Sequence, residues 1–111
     1  MTTEEKLITL VKRLHAKTKA GEIRWEQTTA NGVFQTAFPS YTVKLAKRGA
    51  DYSISILDEM GTTLESSDDA QLAAAFPERS VYQTMRELYD MARRVALGVN
   101  EALDSLLGEL G

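Results

Sequence analysis

The chain contains no cysteine. That removes a disulfide framework, thiolate catalysis and cysteine-based metal sites. It holds one histidine, His15, with no Asp, Cys or second His at a metal or relay spacing. Such a residue reads as a boundary side chain rather than a base or a metal ligand. No Gly-rich phosphate loop, HExxH pair or nucleophile elbow is present. The 7 glycines read as markers of turns and element ends instead. No apolar run approaches the roughly 20 residues of a membrane span. The start, MTTEEKLITLVKRLHAK, carries early acids and no small-residue cleavage pattern, unlike a signal peptide. Cytoplasmic residence is the expectation, with no membrane partner. The sequence offers no catalytic residue, no metal ligand set and no cofactor motif.

What remains is the composition of an ordinary globular domain. Its 111 residues suit one domain, 1–111, with a single modest core. The net charge is −3, unevenly spread. Residues 1–50 hold nine Lys/Arg and four Asp/Glu, a balance of +5; residues 51–111 hold four and twelve, a balance of −8. Such asymmetry marks either a binding face or internal complementarity between two halves that share a core.

Ser80 to Leu97 carries the strongest helical period. Val81, Met85, Leu88, Ala92 and Val95 step by four, three, four and three along one stripe. Ser80 with Gln83 reads as a capping box, and Gly98 as a left-handed C-terminal cap. Asp90 and Arg94 are spaced for a surface ion pair. Beside the stripe runs the row Tyr82, Arg86, Tyr89 and Arg93. Tyr and Arg carry much of the binding energy at interfaces, so this row is the candidate interaction surface. The alternative is that the Tyr rings roof the edge of the core and the Arg stems cover them.

Taken in order, Thr2 to Ala20 predicts a first helix opened by a Thr2/Glu5 capping box. Leu7, Leu10, Val11, Leu14 and Thr18 line one face, with basic residues on both flanks. Strands are expected over 23–29, 33–38, 41–46, 52–56 and 62–65, separated by turn signals such as Asn31-Gly32. Trp25 reads as a core plug where helix meets sheet. Asp58 and Glu59 are adjacent carboxylates at a turn, where solvation is the ordinary role, and nothing shows the facing acid pair of a glycosidase. Residues 66–79 are the hardest to place; Ser67 could cap a short helix with Leu72, Ala75 and Phe76 on its apolar side. Asn100 reads as the cap of a last helix whose Leu103, Leu106, Leu107 and Leu110 either close the core or form a homodimer seam.

Three stretches stand out together: AGEIRWEQT at 20–28, YSISILDEMG at 52–61 and LYDMARRVALGV at 88–99. With them the chain resembles a group of short uncharacterised bacterial proteins that have a WEET-type start and an LYxxARRxALG helix. The resemblance implies the order helix, meander, helix, helix and a bacterial or phage origin. It carries no activity.

The fold expected is α+β, with an N-terminal helix, a 4–5-stranded antiparallel meander and a C-terminal helix pair, the helices on one face of the sheet. The function expected is a small non-enzymatic protein-interaction module, an adaptor or an inhibitor of a partner protein. One alternative is nucleic-acid binding through Lys12, Arg13, Lys17, Lys19, Lys44, Lys47 and Arg48, against which the net acidity counts. The other is a small enzyme whose site leaves no local motif.

Overall fold

The computed structural model describes residues 1–77 and 80–111. Helix α1 spans Thr3–Lys19, strands β1 to β5 span Glu26–Gln27, Val33–Ala37, Thr42–Arg48, Asp51–Leu57 and Thr63–Asp68, and helices α2, α3 and α4 span Asp69–Ala75, Val81–Leu97 and Val99–Leu110. The five strands form one antiparallel meander in the order β1-β2-β3-β4-β5. The class is α+β, as the periodicities predict.

Local chemistry accounts for most boundaries. The Thr2 side chain accepts from the Glu5 N–H while the Glu5 carboxylate accepts from the Thr2 N–H, which closes the capping box of α1. Gly49, at φ 61°, opens the two-residue turn that joins β3 to β4. A positive φ at this first turn position matches the twist of the flanking strands and suits glycine. The Asp58 carboxylate accepts from the Met60 and Thr62 N–H groups, each at 2.9 Å, and so holds the β4–β5 loop.

Alternation then decides the faces. Phe34, Val43, Leu45, Tyr52 and Ile54 turn inward onto the helices and are buried. Their neighbours form an open outer face, along which Glu26, Gln35, Lys44, Ser55 and Ser66 stand in register across all five strands. Helix α3 touches α1, α2 and strands β1 to β4, so the stretch with the strongest period sits at the centre of the packing. Ile8 and Val11 lie beside Val81 and Thr84, and His15 reaches Glu87, so α1 and α3 run side by side in the same direction. Trp25 is buried between helix and sheet, and its Nε1–H donates to Thr18 Oγ1 at 3.0 Å.

Several expectations are corrected. Strand β1 is only two residues long, because Thr28 folds its hydroxyl onto the backbone of Ala30 and Val33 and ends the strand in a loop. Phe38 and Tyr41 lie outside the strands, exposed on either side of Pro39-Ser40. Strand β5 runs on to Asp68, and Asp68 rather than Ser67 caps α2 by accepting from the Gln71 N–H at 2.8 Å. Within the stretch expected to be hardest to place, Glu78 and Arg79 lie outside the described residues. Ser80 makes no side-chain cap bond, and Asp90 and Arg94 form no ion pair among the described residues. Helix α4 starts at Val99, directly after the left-handed Gly98, so Asn100 is not its cap.

Candidate functional site

The row Tyr82, Arg86, Tyr89 and Arg93 is divided by its position over the sheet. Tyr89 is 7% exposed, while Tyr82 is 44% exposed. The Tyr89 ring sits 5.5 Å from Phe34 and 5.4 Å from Tyr52, and its hydroxyl donates to the Gly32 carbonyl. Burial raises its pKa above the ordinary tyrosine value, against a smaller lowering by Arg93. Tyr89 is thus a core residue and leaves the candidate interaction surface. The reason is that α3 is packed on two sides, against α1 and against the sheet, so its buried arc is wider than one stripe. Tyr82 rests on Tyr52 at 5.6 Å and keeps an open edge. Arg86 is exposed and Arg93 half-buried.

Arg86 borders an open groove of about 600 Å³ on the helical side, with His15, Lys19, Glu87, Asp90 and Arg94 among its walls. Here the structure adds a pair that local spacing does not show: His15 Nε2 lies 3.3 Å from Glu87 Oε2, across 72 residues of sequence. A histidine oriented by a carboxylate is two parts of a general-base arrangement. The other ring nitrogen has no hydrogen bond among the described residues, and no hydroxyl stands against it. Among the described residues no group of three His, Asp or Glu side chains could hold a metal ion.

The basic residues proposed for nucleic acid do not share a face. Lys12, Arg13, Lys17 and Lys19 belong to α1, on the inward side of the sheet. Lys44 alternates with buried Val43 and Leu45 and so points to the opposite, open face. A backbone-tracking groove needs its cations on one surface.

Helix α4 is the exception in the fold. None of its residues is buried, and among the described residues α3 is the one element it touches. Leu103, Leu106, Leu107 and Leu110 are 50%, 54%, 66% and 84% exposed. Of the two roles open to these leucines, they do not close the core. Burying one leucine contributes about 1.5–3 kcal/mol, so four left this open forgo on the order of 5 kcal/mol per chain. The chain as a whole is also less compact than its length requires. The radius of gyration is 15.0 Å, against about 13 Å for a compact chain of this length. The accessible surface is 7332 Å², about 1,200 Å² more than a compact protein of 12.3 kDa exposes. No periodic signal in the sequence separates this helix from a core helix, because both carry the same apolar stripe.

No family model, no curated protein and no solved structure matches the chain. The site therefore rests on its own geometry. Among the described residues no helix is long and apolar enough to cross a membrane.

Proposed function

We propose that this chain is a small non-enzymatic protein-interaction module and that α4 is its interaction element. One observation carries the reading: four leucines on one side of a helix with no buried residue. A helix of about a dozen residues is marginal in water when nothing packs on it. Its stability comes from covering the apolar side, and the domain body does not cover it. Exposed apolar surface gathered on one element marks a docking site, whereas apolar residues scattered singly do not. Tyr82 and Arg86 form a second, smaller exposed strip on α3 and are accessory in this reading.

A photo-crosslinking residue placed at Leu107, on the stripe, tests this in the cells that make the protein, with the same residue at Glu101, opposite the stripe, as the control. Covalent adducts at 107 and few at 101 are expected. Equal yields at the two positions, or none at either, would overturn α4 as the interaction element.

A further inference from the structure

We infer that the free edge of β5 takes up an extended segment of a partner protein as a sixth strand, one that carries lysine or arginine at alternate positions. This surface is separate from α4 and does not depend on it.

β1 and β5 are the two edges of the sheet. β1 offers two residues, whereas β5 offers six and is exposed along most of its length. Hydrogen-bond direction alternates along an antiparallel strand. The Tyr52 N–H points to the β5 side of β4, where the Asp69 carboxylate accepts it. Ile54 and Ile56 share that direction and spend their bonds on their partners Ser67 and Glu65. Ser66, between them, turns its N–H and its C=O away from β4. That N–H donates to the adjacent Glu65 Oε1 at 3.2 Å, at the long end of the range for such bonds. A strand residue placed opposite Ser66 can replace this bond and give a second one to the Ser66 carbonyl. That exchange is how an extended peptide adds to a sheet edge.

The surroundings select the side chains. An open groove of about 780 Å³ touches Glu65, Ser66 and Ser67. Successive strand residues face opposite ways, so a groove that meets all three runs along the edge. Its other walls come from the start of α1, with Glu4 and Leu7, and the end of α2, with Phe76. Among the described residues no base lines it, and Glu4 and Glu65 form no ion pair. Residues of an added strand opposite Glu65 and Ser67 point to the same side as these two, into the groove. A lysine or arginine there lays its stem against Leu7 and Phe76 and its charge beside the acids.

The same charges disfavour the other occupants. An acid facing inward on an edge strand opposes an apolar strand. β5 carries Glu65 and Asp68 and no base, so the β5 of a second copy would add acid to an acidic rim.

The probe is a short capped peptide of alternating threonine and lysine, titrated into isotope-labelled protein. Binding should shift the Ser66 amide resonance, slow its exchange with solvent and weaken as salt is added. The same peptide with glutamate in place of lysine should not bind. Ser66→Pro removes the edge N–H and keeps the β4–β5 ladder, because proline is tolerated where an edge N–H faces outward. It should weaken binding roughly tenfold or more, the worth of one hydrogen bond. Ser66→Ala keeps that N–H and should bind like the wild type. Glu65 is exposed, so Glu65→Lys should leave the fold intact and still weaken the lysine peptide. No shift at any peptide concentration would overturn the site. Shifts centred away from β5, or equal binding by Ser66→Pro, would overturn strand addition. Equal binding of the glutamate peptide would overturn the choice of a basic segment. A Ser66 amide already protected without peptide, in a dimer that Ser66→Pro dissociates, would make a second copy the occupant and overturn the partner segment.

Discussion

The Tyr89 hydroxyl donates a 2.7 Å hydrogen bond to the carbonyl of Gly32, 57 residues earlier in the chain. The bond ties the middle of α3 to the loop between β1 and β2. Gly32 has φ +76°, a conformation that side-chain-bearing residues rarely adopt, and a Cβ there would stand 3.5 Å from the same hydroxyl. One tyrosine therefore fills the aromatic cluster with Phe34 and Tyr52 and also supplies the donor that the loop carbonyl needs.

Tyr89→Phe should cost about 0.5–1.5 kcal/mol, the net worth of one hydrogen bond, with the ring contacts kept. Tyr89→Ala should cost about 3–5 kcal/mol through the cavity it opens in the core. Urea unfolding followed by Trp25 fluorescence separates the two. A surface residue would show neither loss, so equal stability of wild type and Tyr89→Ala would return Tyr89 to the exposed row.

The same residue sets an alkaline limit. Burial raises the Tyr89 pKa above 10.0, so the folded state holds its proton after the unfolded state has released it. Stability falls with pH wherever the folded state binds more protons. The contribution of Tyr89 is thus complete below about pH 10 and is lost as pH rises through the folded pKa. Across that window the wild type should lose more stability than Tyr89→Phe, whose ring does not titrate. Unfolding curves for both proteins on either side of about pH 10 provide the test. Identical losses would show that Tyr89 carries none of the effect.

Asp69 offers a different test. It is buried, and its carboxylate accepts from the Tyr52 N–H at 2.6 Å. The β4–β5 ladder ends at Ser53 and Asp68, so this side chain supplies the acceptor one residue beyond the strand pairing. Asp69→Ala leaves a buried N–H without a partner and should cost about 1–3 kcal/mol. Asp69→Asn keeps an oxygen that can accept and should recover most of that loss. If Ala and Asn destabilise equally, the charge rather than the acceptor is what the site uses. Amide exchange at Tyr52 reads the bond directly and should accelerate in the Ala variant alone.

The meander and the two long helices were legible because their signals are local. Period-two alternation located β3 and β4, and the Thr2/Glu5 spacing opened α1 where the structure does. Misreadings gathered where a distant element decides the outcome. Ile8 is buried although the local stripe favours Leu10, because α1 packs against α3 as well as over the sheet. Tyr89 joined an exposed row for the same reason in reverse. The His15–Glu87 pair joins two helices that only the tertiary fold brings together. Val95 belongs to the stripe by spacing, yet it is exposed where α3 runs on towards α4. An apolar stripe records that a side of a helix is to be covered; it does not record whether the cover lies in the same chain.

Gly108 separates the stability of α4 from its apolar side. It lies away from the leucine stripe, and a Cβ added there would meet nothing within 4 Å. Its φ is not in the left-handed region, so alanine is free of strain. Glycine inside a helix costs about 0.5–1 kcal/mol relative to alanine. In a core helix that difference would move the unfolding of the whole domain. In α4, which gives no buried residue to the core, Gly108→Ala should raise the far-ultraviolet helical signal and leave Trp25-monitored unfolding of the isolated subunit unchanged. If α4 docks on a partner, the same change should raise the adduct yield at position 107, because part of the ordering cost is already met before contact. Helicity that does not rise, with a yield as low as before, would mean that α4 is already fully formed on its own. The leucines would then act as a preformed docking face, and helix formation would not be coupled to docking.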